Sequence, residues 1–336
     1  MVFSAFGYEP LEIASIYIGG GTPSLIPSKL LERWLTHLRA YINFVPDFEF
    51  TVEANPESLS SEICHDLYDL SVNRIVIGVQ SFSPAPLRQL GRRVRTKDIY
   101  QAFYNARSAG LENIGGDLIF GLPGQKIKNL RTDIDRLTAL DPQHISLYQL
   151  TVEQNTKLAE MIADGEITLP DEDTCAAMYR IGSHILIDRG YQRYEVSNFA
   201  RGGFASRHNL AYWTDHPYIG LGPAANGYIH GVRYANIADL DRYYELTESG
   251  RSAVAFTERL TDDQKLMEKI MLSLRMADGI DRRGLIDSFG KKGEKILESP
   301  AVRRLIRGGF MVNDAGFLRL TDNGFLLADK IIAELV

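Results

Sequence analysis

Between residues 11 and 200 the sequence switches repeatedly between two periodicities, and that alternation limits the fold more than any other feature. Short apolar or β-branched runs at 13–18, 48–52, 74–79, 118–120, 144–150 and 193–196 read as strands. Between them lie "SKLLERWLTHLRAYI", "LSSEICHDLYDL", "TKDIYQAFYNARSAG", "NLRTDIDRLTAL" and "DEDTCAAMYRIGSHILIDRG", whose apolar residues recur at helical spacing. Several of these open on Ser, Thr or Asp, and two close on Gly110 and Gly190, the residue types that cap helices. Helical crossovers between successive strands build a parallel sheet. The expectation is therefore an α/β fold with six parallel strands, either an incomplete (β/α) barrel or an open doubly wound sheet. With 336 residues, 45% of them hydrophobic, the chain can fill one large domain and a smaller one.

In a parallel fold the carboxyl ends of the strands converge on one face, so polar residues there line a single site. Glu53, Gln80 and Asp117 stand at such ends, followed by Gln149 and Glu153 after the fifth run and by Glu195 and Asn198 after the sixth. Each alone serves equally well as a cap or turn former. Glu195 and Asn198 read either as acid–base or hydrogen-bonding groups at the barrel mouth or as structural caps. The first run ends in "IYIGGGTPSL". Three glycines leaving a strand let backbone approach a ligand and leave N–H and C=O groups unblocked. The spacing is not Gly-x-Gly-x-x-Gly and lacks a phosphate-loop lysine, so nucleotide phosphate is not its ligand by pattern, and a tight turn also accounts for it.

Composition removes several classes of partner. A net charge of −6 with scattered Lys and Arg argues against nucleic acid and against a polybasic membrane patch. Cys64 and Cys175 are the only cysteines, far apart and on helical segments, so neither a disulfide framework nor a Cys-x-x-Cys metal site is expected. No signal sequence or membrane span is legible, which makes a cytoplasmic protein the expectation.

The segments "GGGTPSL", "VEANPESL", "NRIVIGVQSF", "LGR", "DLIFGLPGQ", "HISLYQLTVE", "YEVSNFA" and "SRHNLAYW" follow one another in this order. They resemble the radical S-adenosylmethionine proteins related to oxygen-independent coproporphyrinogen III oxidase, and within these the heme-chaperone branch, from about Ile13 to the carboxyl terminus. The resemblance implies that Gly20, Gly21 and Thr22 meet the methionyl end of S-adenosylmethionine and that Glu53 takes the ribose hydroxyls or the amino group. It also places Gln80, Arg92 and Asp117 along the cofactor. In "RHNLAYW", His-Asn-x-x-Tyr-Trp resembles the mark of the chaperones rather than of the decarboxylating oxidases. A lone histidine is as readily a satisfied loop residue, but imidazole is a standard axial ligand of heme iron, so His208 becomes the candidate ligand, with Tyr212 and Trp213 as flat surface for the macrocycle. The implied function is to bind heme and hand it to an acceptor protein. Oxidative decarboxylation of coproporphyrinogen III and a cluster-less scaffold are the alternatives, and a homodimer is allowed.

Two departures stand beside the resemblance. Relatives begin with a strand and Cys-x-x-x-Cys-x-x-Cys, which holds a [4Fe–4S] cluster. This chain starts after that segment, so the expectation is a (β/α)6-type barrel missing its first strand, with no cluster ligands, a shortened start being favoured over a lost chemistry. Relatives also carry Gly-Pro-Gly-Ala-His-Ser where Gly222-Pro223-Ala224-Ala225-Asn226-Gly227 stands here, so Asn226 replaces a histidine, with His230 close by. His37, His65, His144, His184 and His216 show no ligand spacing and receive no role. The organisation expected is a partial barrel over 1–200, a barrel-mouth segment of loops and short strands over 201–256, and a small helical, winged-helix-like domain over 257–336.

Overall fold

A computed structural model describes residues 11–336. Their contacts separate into two compact units, Glu12–Ser206 and Arg207–Val336, where the sequence suggests three segments meeting at 200 and 256.

The first unit is built on seven strands: β1 (Leu11–Ile18), β2 (Ile42–Ala54), β3 (Arg74–Gln80), β4 (Asn113–Phe120), β5 (His144–Gln149), β6 (Gln192–Arg193) and β7 (Asn198–Ala200). They form one sheet in the order β1-β2-β3-β4-β5-β7-β6, curled into a half-barrel. Neighbours from β2 to β5 are parallel. The helices are α1 (Ser28–Leu38), α2 (Ser61–Asp69), α3 (Pro84–Gln89), α4 (Thr96–Ser108), α5 (Ile127–Ala139), α6 (Lys157–Ala163) and α7 (Glu172–Asp188). Ser60 and Asp171 cap α2 and α7 by accepting from Ile63 N and Thr174 N, as their residue types predict.

The sixth run departs from expectation. Instead of one parallel strand at 193–196 there is a hairpin, in which β7 runs antiparallel to both β5 and β6. The cause is local: Glu195 Oε1 accepts from Ser197 N at 3.0 Å, and Tyr194 N donates to Asn198 O at 3.1 Å, turning the chain inside the apolar run.

Strand register sorts the side chains into two faces. Thr51, Arg74 and Asn113 share one row, Glu53, Val76, Gly115 and His144 a second, and Asp117, Ser146 and Asn198 a third, all on the lining of the half-barrel. The alternate positions Val52, Ile75, Ile77, Ile114, Leu118, Ile145, Leu147 and Phe199 are apolar and buried, and they turn toward the helices. Leu130, Ile134 and Leu137 of α5, spaced for one helical face, are buried in the same core.

In the second unit, residues expected to be loops and short strands include α8 (Arg207–Trp213), β8 (Asn226–Ile229), β9 (Val232–Asn236), α9 (Leu240–Glu248) and β10 (Val254–Arg259). The three strands form an antiparallel sheet, β10-β9-β8. After α10 (Asp262–Arg275) come β11 (Ile280–Asp281), α11 (Arg282–Phe289), α12 (Lys291–Leu297), α13 (Pro300–Arg307), β12 (Met311–Asp314), β13 (Phe317–Leu320), α14 (Asp322–Phe325) and α15 (Ala328–Leu335). The helix–hairpin–helix order read from the tail is present, with β11 completing a sheet ordered β11-β13-β12.

Candidate functional site

The glycine turn after β1 is shaped by two different demands. Gly20 and Gly21 adopt φ of +79° and +67°, which L side chains rarely tolerate. Gly19 is required by proximity: a Cβ there would lie 2.8 Å from the Tyr17 ring and 3.1 Å from the Glu53 carboxyl carbon. Into this space reaches Glu53, at the carboxyl end of β2. Its Oε1 accepts from the Tyr17 hydroxyl at 2.6 Å and its Oε2 from Gly20 N at 3.2 Å. Burial, then the Glu53 carboxylate, push the Tyr17 phenol well above its ordinary range, which keeps it a donor.

A second chain of bonds leads from the turn to the end of β3. Thr22 Oγ1 accepts from Asn55 Nδ2 at 3.1 Å, and Asn55 Oδ1 accepts from Arg92 Nη1 at 3.2 Å. Arg92 also donates to Gly78 O at 3.4 Å. A Cβ on Gly78 would lie 3.0 Å from the Gln80 amide nitrogen and 3.5 Å from Arg92 Nη1, so both side chains lie over a glycine. Gln80 itself has a φ of +63°. Such a backbone is strained for a residue with a side chain and aims the amide where an extended strand would not.

Asp117 completes the set on β4. Its Oδ1 is buried and has no hydrogen-bond partner, although the residue as a whole is partly exposed. Burial raises its carboxyl to about 6; a Ser146 hydrogen bond opposes that rise and the Glu53 charge adds to it. Tyr148, on the same face of β5, is partly exposed, yet burial followed by the Asp117 charge pushes its phenol up to about 12.

The sequence-derived residues Gly20, Gly21, Thr22, Glu53, Gln80, Arg92 and Asp117 are thus brought to the carboxyl ends of β1 to β4. Gln149 is not among them: it is exposed and alternates with the lining residues Ser146 and Tyr148. Glu153 is exposed in the following loop. Tyr17, Asn55, Ser146 and Tyr148 escape the sequence reading, although strand parity counted from Asp117 and His144 points to Ser146 and Tyr148. His144 is fully buried on the lining, 2.8 Å through Nε2 from the Tyr194 hydroxyl. Burial, then the Arg74 charge, hold its imidazole well below its ordinary range.

The donor set does not fit a [4Fe–4S] cluster, which takes three clustered thiolates. Cys64 on α2 and Cys175 on α7 are free and buried. Burial pushes the Cys64 thiol up to about 12 and raises Cys175 too, which keeps both protonated. Among the described residues no group of three His, Cys, Asp or Glu side chains is arranged to hold a metal ion.

The aromatic motif of the second unit lies on α8. His208 Nε2 is 3.0 Å from the Tyr212 hydroxyl, with the rings edge to face at 4.8 Å. Tyr212 packs edge to face on Tyr218 at 4.5 Å, and the Arg275 guanidinium stands 6.0 Å over the Trp213 ring. No residue of α8 is fully buried. Asn226 opens β8 and donates to Ala224 O at 3.3 Å, and Ala224 holds a φ of +59°. His230, with a φ of +50°, occupies the turn between β8 and β9.

Residues 4–137 match the model of the radical SAM superfamily, and residues 260–327 match that of the HemN C-terminal domain. The chain is 36% identical over 335 residues to the heme chaperone HemW of Lactococcus lactis, covering 99% of this chain and 86% of that protein. The HemW proteins of Bacillus subtilis and Escherichia coli are 34% and 32% identical, covering 95% and 96% of this chain and 84% and 83% of theirs. Among solved structures, coproporphyrinogen III oxidase (HemN) from Escherichia coli superposes with a TM-score of 0.79 over 96% of this chain and 78% of that one, at 22% identity, a likeness of fold. No helix among the described residues is long and apolar enough to cross a membrane.

Proposed function

Because this chain belongs to the HemW heme chaperones, within the radical SAM superfamily, we propose that it binds heme, passes it to an acceptor protein, and holds S-adenosylmethionine in its half-barrel. The observation that carries the heme reading is 36% identity with a heme chaperone along nearly the whole chain. For the iron, His208 supplies an imidazole whose Nε2 is shared with the Tyr212 hydroxyl, so ligation exchanges one neutral hydrogen bond for a metal bond. Tyr212 and Trp213 supply flat surface beside it. The acceptor protein, an association of two copies and a cytoplasmic location belong to the same proposal.

In the half-barrel the fit rests on charge. S-adenosylmethionine brings a sulfonium cation, an ammonium and a carboxylate at its methionyl end, and an adenosine. Glu53, clamped by Tyr17 and Gly20, gives that cation a carboxylate in fixed orientation. The unpartnered Oδ1 of Asp117 gives it an acceptor, and beside the Gly20 N–H that Glu53 takes, the open turn at Gly20 and Gly21 leaves room for the methionyl end to approach backbone. Arg92 is held by Asn55 and Gly78, and this positions its guanidinium beside Gln80.

Titration of hemin into the purified chain tests the first part. The expected result is a saturable Soret band that weakens in His208→Ala; an absent band or an unaffected variant would refute it. Equilibrium dialysis with labelled S-adenosylmethionine tests the second, with Glu53→Gln expected to weaken retention about tenfold, the loss of one charge-assisted contact.

A further inference from the structure

The register row Asp117–Ser146–Asn198 crosses β4, β5 and β7 on the lining of the half-barrel. Paired residues on adjacent strands share a face, so the three side chains project to the same side. Asn198 is 4% exposed. Its Oδ1, like Asp117 Oδ1, is buried and has no hydrogen-bond partner. Ser146 stands between them in the register, and Tyr148 is the next residue of β5 on the same face. The row therefore directs two unused acceptors to one side, flanking a serine. Buried side-chain oxygens are costly without a donor, and the carboxyl oxygen of Asp117 paired with the amide oxygen of Asn198 matches a ligand with two separated donors.

Strand order says which part of the ligand that is. The glycine turn follows β1 at one end of the sheet, and β4, β5 and β7 lie toward the other. A ligand with its methionyl end at the turn carries its nucleoside toward Asp117 and Asn198. The donors of that nucleoside are the ribose hydroxyls and the 6-amino group. Resting on the reading of the half-barrel as an S-adenosylmethionine site, we propose that Asn198 is a specificity-determining residue of that site. Its Oδ1 accepts a hydrogen bond from the nucleoside, while Asp117 takes a second donor.

Calorimetric titration with S-adenosylmethionine, on the whole chain, decides this. Asn198→Ala is expected to weaken binding about tenfold, whereas Asn198→Asp, which keeps an oxygen at the position, stays close to wild type. Two further probes, the 6-deamino (purine riboside) form and the 2′-deoxy form of S-adenosylhomocysteine, each remove one donor and are compared with S-adenosylhomocysteine. One of them should bind wild type more weakly and lose nothing further in Asn198→Ala. Circular dichroism checks that each variant is folded. If wild type binds and Asn198→Ala binds equally well, the assignment falls and the site reading stands. Uniform weakening for all probes, without coupling to a donor, would make Asn198 merely structural and overturn the assignment. If wild type binds none of the probes, the site reading itself falls and takes the assignment with it.

Discussion

Asp117 is the residue whose chemistry depends most on its surroundings. Burial lifts its carboxyl to about 6, so acidification through that value removes the charge that the proposed S-adenosylmethionine site offers its cationic ligand. Affinity for S-adenosylmethionine is expected to fall as the pH drops below about 6, and Asp117→Asn should bind weakly with little pH dependence; calorimetry across pH 5–8 checks both. Tyr17 acts through another group. Its hydroxyl fixes one oxygen of Glu53 while Gly20 fixes the other, so Tyr17→Phe frees the carboxylate without emptying the space. The expected cost is about threefold to tenfold in affinity for S-adenosylmethionine, with no added loss when Glu53→Gln is combined with it. Glu53 and Asp117 are legible in the sequence because they stand at strand ends. Tyr17 is not, because an aromatic residue within an apolar run reads as core until the fold sets it beside a carboxylate.

At the scale of elements, the β/α alternation is plain in the sequence because each outward strand face and each helix stripe must be apolar to be buried together. The α5 contact shows how tight this is: a Cβ on Gly116 of β4 would lie 2.7 Å from Leu137. Leu137→Ala is expected to cost about 2–5 kcal/mol, read from urea denaturation, since neighbours on both sides are fixed. The β6–β7 hairpin was not legible, because its reversal depends on Glu195 capturing backbone rather than on any Gly or Pro signal. The same reversal brings Asn198 into the row of Asp117 and Ser146. The polarity of the lining face was half visible: alternation predicts two faces, but it cannot say that the polar one is enclosed.

For the whole molecule, the two candidate ligand sites fall in different compact units, the glycine turn with its carboxylates in Glu12–Ser206 and the His208 motif in Arg207–Val336. Hemin titration of Asp117→Asn is accordingly expected to reproduce the wild-type curve. Acid stability carries a second signature. Burial keeps His144 neutral, so below its ordinary value of 6.5 the unfolded chain binds that proton and the folded chain does not. Stability present above pH 6.5 is therefore lost as the pH falls, while Asp117, raised in the folded state, offsets part of that loss between about pH 6 and 4. Urea midpoints for wild type and His144→Gln at pH 7.5 and 5.5 should show the smaller drop in the variant. By itself the sequence determined the fold class, the family and the ends of the strands where polar groups gather, since these follow from periodicity and from residues close together along the chain. Only the tertiary structure decided that Tyr17 and Gly20 clamp Glu53, that Arg92 and Gln80 share the space over Gly78, and that Asn198 stands in the row of Asp117. Those pairings join residues far apart in sequence, and strand register and close approach, not local pattern, bring them together.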